Sequence, residues 1–215
     1  MKAKETYGTS GTLIRLRFFG GWDYSKNLVK DKDFVKKAYK DGVPMGSDLP
    51  KKAGKAPTFA VWALKDPESG NLDRIQIVKG FINKWGRTDE KVYDVAWADD
   101  RKPDAKTGKL PPVGNTVDVK QATYTNDIGD TQLSAVWTDP DFDPKQKSVY
   151  YVRVLEIPTP RWSTYDSVKS GLPIPKGIPA TLQERAWSSP IWYTPAEKRP
   201  NNKWMGHPPH GQPKE

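Results

Sequence analysis

The residues of this chain that could do chemistry are few, and their spacing argues against most reactions. Its only histidines, His207 and His210, form a His-Pro-Pro-His run near the C-terminus. The two prolines forbid the helical i, i+4 presentation that paired metal ligands use. With no carboxylate cluster beside it, the run points neither to a metal site nor to a histidine base in a catalytic triad. Asp139-Pro140-Asp141-Phe142-Asp143 has the D-x-D-x-D spacing of a calcium loop, which needs Gly at its sixth position and Glu at its twelfth. Pro144 and Tyr150 stand there, so an Asp-Pro turn is expected. Gly8-Thr9-Ser10-Gly11 is one residue short of a G-x-S-x-G nucleophile elbow and reads as a small-residue turn. Its N–H groups could still approach a phosphate.

Two further groups could bind rather than react. Arg153 lies within an apolar strand pattern and must find a carboxylate or carbonyl, because an unpaired buried charge is costly. Glu184, Asp94 and Asp166 are the candidates, and an anion-gripping role is the functional version. Trp162, Trp187, Trp192, Tyr193 and Trp204 cluster late in the chain. Exposed and coplanar they could stack on sugars or bases; in a chain this poor in Leu and Ile such rings are more often simply core.

Composition narrows the class. The chain has 215 residues and is 35% hydrophobic, with nine Trp, nine Tyr and six Phe, so its core must be aromatic-heavy. Twenty Pro and 17 Gly cut it into short pieces, which favours strands. No window approaches a membrane span of about 18 apolar residues. The N-terminal MKAKETYGTSG has no apolar core of a signal peptide. The absence of Cys excludes disulfides and thiolate metal sites. Net charge is +9. Residues Tyr24 to Ala56 concentrate it, with nine Lys against four Asp. Such a charge attracts anionic partners or simply solvates a surface.

The elements that must position these residues are mostly strands. Ser148 to Ile157 is the central one, apolar on both faces and interrupted only by Arg153, as in a strand covered on both sides. Thr12 to Phe19 alternates as a half-buried strand, and Thr58 to Leu64 is another. Arg74 to Ile82 and Glu90 to Trp97 form a hairpin, with Gly86 free for positive φ. Asp99 to Asn115 is a long polar loop, an insertion or a functional segment. Thr116 to Thr125 and Thr131 to Thr138 are expected to pair. Leu182 to Trp192 is the last strand. Asp31 or Asp33 could cap a short helix through Tyr39, stopped by Gly42, and Ser163 a second from Thr164 to Lys169, closed by Gly171. Leu172 to Pro179 is an extended connector. Short strands separated by turns predict a mainly β, antiparallel sandwich-like domain with one or two short helices and long Pro/Gly-rich loops.

The phrases KETYGTSGTLIRLRFFGGWDY, TFAVWALKDP, LDRIQIVKGF, EKVYDVAWADDRKPD, AVWTDPDFDP, YYVRVLEIPTPRWSTYD and ATLQERAWSSPIWYTP resemble, in order, the C-terminal part of a bacterial family. That family is number 3604 among domains of unknown function, and the likeness runs from about Lys4 to Pro195. Its full-length members look like PHP-type proteins, with a metal-dependent hydrolase-like domain ahead of this region. The resemblance implies hydrolysis of phosphoesters or other anionic substrates, with a divalent metal held by His- and Asp-rich motifs that would precede Met1. No metal ligand carries over to this chain, and no cofactor is expected in it.

The resemblance divides the chain into a catalytic-domain remnant over 1–11, a β-rich domain over 12–195 and a disordered polar tail over 196–215. It places Tyr7, Thr9 and Ser10 at the joint with the missing N-terminal domain, and Arg161, Trp162, Glu184 and Arg185 facing it. The chain is thus expected to be a truncated, non-catalytic accessory domain. The alternative is a polysaccharide- or cell-wall-binding module using two or more of Trp62, Trp137, Trp162 and Trp187, coplanar on one open face. The chain is basic, with pI ≈ 9.5, but no nucleic-acid motif is present and nucleic-acid binding is not expected.

Overall fold

Tyr150, Val152 and Val154 lie in line along one face of the strand Ser148–Pro160, and all three are fully buried. In the computed structural model, which describes residues 2–51 and 55–195, this strand is the centre of the larger of two antiparallel sheets. In chain order the strands are β1 (Tyr7–Thr9), β2 (Arg15–Gly21), β3 (Gly42–Pro44), β4 (Thr58–Leu64), β5 (Leu72–Ile82), β6 (Thr88–Trp97), β7 (Gln132–Thr138), β8 (Ser148–Pro160), β9 (Thr181–Ser188) and β10 (Ile191–Tyr193). The helices are α1 (Phe34–Asp41) and α2 (Trp162–Ser170). The first sheet runs β1-β9-β8-β5-β6, with β10 also on β8; the second runs β3-β2-β4-β7.

The sheets face each other across one core. Phe18, Phe59 and Val61 of the second sheet pack with Ile75, Ile77, Tyr150, Val152 and Val154 of the first. Phe59 is its aromatic hub, with ring centroids 4.5 Å from Tyr150, 5.6 Å from Phe18 and 6.0 Å from Trp137. A smaller cluster joins Phe34 and Ala38 of α1 to Phe19 and Ala60 on the outer face of the second sheet. The mainly β sandwich expected from the sequence is therefore the fold observed. No helix among the described residues is long and apolar enough to cross a membrane.

Several local expectations need correction. The outer face of β8, with Val149, Tyr151, Arg153 and Leu155, is only half-buried, so this strand is fully covered on one side alone. Thr116 to Thr125 is not a strand. It folds back through an isolated Asp118–Thr123 bridge, and Asp118 Oδ1 accepts the N–H groups of Lys120 and Gln121. β7 pairs instead with β4. The last strand breaks at Ser189-Pro190 into β9 and β10, since proline has no N–H to donate. Ser163 is not the cap of α2: the helix begins at Trp162 with Arg161 at the cap position, though Gly171 closes it at φ +71° as expected. α1 follows Asp33 without a side-chain cap, Asp31 instead accepting the N–H of Asp33. Gly8 and Thr9 belong to β1 rather than to a turn.

The long connection from β6 to β7 is pinned at its far end by Asn71. Its side-chain amide donates to the carbonyls of Asn126 (3.1 Å), Ile128 (3.0 Å) and Gly129 (3.3 Å). Its own N–H donates to Asn126 Oδ1 at 2.7 Å. Asn71→Ala is expected to lower stability by about 1 kcal/mol, because carbonyls in a partly exposed loop recover water. Urea unfolding of that variant checks the figure, and an unchanged midpoint would mean the loop is held elsewhere.

Candidate functional site

One end of the sandwich gathers most of the residues singled out in the sequence. β1 lies along β9, with Tyr7 opposite Ser188 and Thr9 opposite Ala186. Just beyond, Ser10 ties the two segments together. Its N–H donates to the Arg185 carbonyl at 2.9 Å, its hydroxyl accepts the Arg185 N–H at 2.8 Å and donates to the Glu184 carboxylate. Arg161 and Trp162 stand where β8 passes into α2. There the Arg161 N–H (2.9 Å) and the Thr164 hydroxyl (2.7 Å) both donate to the Ala180 carbonyl, one residue before β9.

Beneath the crossing from β1 to β2 lies a carboxyl group that the sequence reading passed over. Glu156 is 0% exposed. One oxygen accepts the Ser69 hydroxyl at 2.6 Å; the other has no partner, and neither has the Thr12 hydroxyl. Burial pushes the Glu156 pKa up against the hydrogen bond from the Ser69 hydroxyl, and the Glu184 and Asp66 carboxylates push it further. Asp66 behaves in the opposite way. Its carboxylate accepts the N–H groups of Leu13 (2.7 Å) and Glu68 (3.0 Å), which hold it below the usual range. Tyr124 is raised by burial and then by the neighbouring Tyr165 and Glu156, which puts Tyr165 of α2 beside this acidic end. The signal for Glu156 was present in the sequence: it continues the inward parity of Tyr150, Val152 and Val154.

The same end carries exposed apolar surface. Trp162, Tyr165, Val168 and Leu172 recur at roughly helical spacing along and just past α2, and Trp162 and Leu172 are 68% and 67% exposed. Leu13, on the β1–β2 crossing next to Asp66, is 74% exposed.

Arg153 is separate from this group. It lies on the half-buried outer face of β8 and takes neither Glu184 nor Asp166. Its Nε donates to Gln76 Oε1 at 2.8 Å, and Gln76 Nε2 donates to Asp94 Oδ1 at 2.8 Å. The expected carboxylate is thus reached through an amide. The four tryptophans from which a glycan-binding face would draw two or more lie on different elements. Trp137 packs against Phe59 and Tyr93 at the inter-sheet core, Trp62 lies beside α1, Trp187 on β9 and Trp162 on α2. Trp204, His207 and His210 lie outside the described residues.

The aspartate run is an Asp-Pro turn whose carboxylates are spent within the protein. Asp139 takes Lys79 at 2.6 Å and the Tyr150 hydroxyl at 2.7 Å; Asp141 takes Lys91 at 3.1 Å and the Tyr93 hydroxyl at 2.7 Å. Among the described residues no group of three or more His, Cys, Asp or Glu could hold a metal ion. The donor set therefore does not fit the divalent metal implied by the resemblance. Ser10 has a carboxylate partner but, among the described residues, no imidazole to act as its base, so the arrangement suits binding and docking better than covalent chemistry.

Comparison with known proteins places this chain against one family model, described as a protein of unknown function (DUF3604), which matches residues 1–195. No curated protein and no solved structure matches.

Proposed function

This chain belongs to the DUF3604 family, and from that membership we propose that it is the accessory β-domain of a PHP-like metal-dependent hydrolase. In this reading the metal and the chemistry, on phosphoester or other anionic substrates, reside in an N-terminal partner domain. The chain supplies a rigid sandwich whose end, from Leu13 and Ser10 across to Trp162 and Leu172, seats that partner. The observation carrying the reading is the exposed apolar line on α2, together with the exposed Leu13, since solvent-facing residues of this size mark an interaction surface. Ser10 and Glu184 would hold the β1–β2 crossing in place at the rim of that surface.

Two measurements test it. Purified 1–215 supplied with Mn²⁺ or Zn²⁺ is expected to show negligible phosphodiesterase turnover; robust turnover abolished by a chelator would refute the accessory role. The protein should also enhance a hydrophobic dye's fluorescence. Leu13→Ser, Trp162→Ser and Leu172→Ser combined should reduce that signal severalfold without moving the thermal midpoint. A wild-type protein indifferent to the dye removes the docking surface.

A further inference from the structure

On the outer face of the second sheet, next to α1, the chain leaves two arginines with nothing to bind. Arg15 and Arg17 are two residues apart on β2, so they project to one side, about 7 Å from each other along the strand. Both are exposed, and neither has an ion-pair or hydrogen-bond partner among the described residues. They line a groove of about 590 Å³ together with Trp62, Tyr7, Phe34 and Val35, a volume within the range of small-ligand sites. The one carboxylate lining that groove, Glu5, is engaged by the Tyr39 hydroxyl rather than by either arginine. Trp62, Phe34 and Val35 also line an adjoining hollow of about 530 Å³, which adds Lys32 and Lys36 alongside Asp31 and Asp33. Asp31 is already paired with Lys37.

The pairing register makes the site more specific than a basic patch. Arg17 lies directly opposite Trp62 across the β2–β4 ladder. Directly opposed residues have Cβ atoms about 5 Å apart, so an anionic group carried on a ring stacked on the indole falls within reach of the Arg17 guanidinium. A uronic acid or a sulfated sugar has that shape. A nucleotide does not, because its sugar separates the phosphate from the base. Guanidinium groups suit carboxylate and sulfate through two parallel hydrogen bonds. A groove continuing past Trp62 into the lysine-bearing hollow suits a chain rather than a single ring.

We propose that this groove is a binding site for acidic polysaccharide, with Trp62 as the stacking platform and Arg15 and Arg17 as the anion clamps. Of the residues named in its lining, only Tyr7 also belongs to the docking end; the clamps and the platform do not, and the site stands whether or not a PHP-like partner exists. Calorimetric titration of the full chain tests it with four probes: oligogalacturonate, a heparin-type sulfated oligosaccharide, neutral dextran oligomers and a single-stranded oligonucleotide of matched charge. One or both acidic glycans should bind, more weakly as salt rises, and the dextran should not. The oligonucleotide should bind at least tenfold more weakly than the better glycan. Arg15→Ala with Arg17→Ala should reduce glycan affinity at least tenfold at an unchanged thermal midpoint, and Trp62→Phe should retain more of it than Trp62→Ala. No glycan binding, binding untouched by the double arginine variant, or equal affinity for the oligonucleotide overturns the proposal.

Discussion

Asp139→Asn is expected to destabilise the protein by about 3–5 kcal/mol, the usual cost of removing one partner from a buried ion pair. Lys79 and Asp139 are the side chains at stake, 1% and 0% exposed, with Nζ 2.6 Å from Oδ2. Lys79 also donates to the Asp141 carbonyl at 2.7 Å, and the Tyr150 hydroxyl completes Asp139 at 2.7 Å. Burial, and then the Asp139 carboxylate, drive the Tyr150 pKa far upward, so the phenol remains a neutral donor. Removing the charge of Asp139 strands an ammonium between the sheets, and Lys79→Met strands the carboxylate. Lys79→Met combined with Asp139→Asn removes both charges while keeping an acceptor for Tyr150. The double variant should therefore lose less than the sum of the singles, by about 0.5–3 kcal/mol. Guanidinium unfolding of the four proteins gives the cycle. Single variants within about 1 kcal/mol of the parent would show that the pair is not what joins the Asp139 turn to β5. Exposed pairs such as Lys37–Asp31 should by contrast be worth little when broken.

This pair also shows how far the sequence could be read. Alternation places Ile75, Ile77 and Phe81 on one face of β5, and the same parity places Lys79 between them. A lysine at an inward position announces a buried partner, yet periodicity alone cannot say that the partner comes from a turn 60 residues on. β8 was legible because its apolar residues are β-branched and aromatic over a long run. β1 and β3 were not, because three-residue edge strands are too short to carry a period. Thr116 to Thr125 was misread for a different reason. Its threonines and valines favour extended backbone, but Asp118 turns the chain by capturing two N–H groups.

The candidate sites divide along the same line. Tyr7, Thr9, Ser10, Glu184 and Arg185 converge on one edge because β1 pairs with β9, a contact between chain ends that no local pattern encodes. Arg153 takes a carbonyl, that of the Gln76 side chain directly opposite it across β5 and β8, rather than one of the three candidate carboxylates. The Arg15–Arg17–Trp62 groove depends on the β2–β4 register, so each residue was visible in the sequence but their adjacency was not.

Glu156→Gln should make the protein more stable near neutral pH and leave it little changed in acid. A carboxyl whose folded pKa is raised contributes stability that is complete below its unfolded value, about 4.3, and that is lost as pH climbs through the folded value. The parent should therefore weaken, relative to the variant, from about pH 4.3 upward. Leaving a buried acceptor unpaired costs about 1–3 kcal/mol, which sets the size of the gain at pH 7–8. Glutamine keeps an oxygen for Ser69 and offers N–H to the unpartnered Thr12 hydroxyl. Asp66 titrates the other way: its carboxylate is held low by two backbone N–H groups, so its contribution is present above its unfolded value and disappears in acid. Subtracting the parent's thermal midpoints from those of the variant across pH 4–8 cancels that shared term and isolates Glu156. A difference that rises with pH places a proton-sensitive carboxyl directly beneath the proposed docking surface, where seating a partner would desolvate it further. A flat difference would mean that Glu156 is ionised at no cost in the folded protein, with water reaching the oxygen that here has no partner.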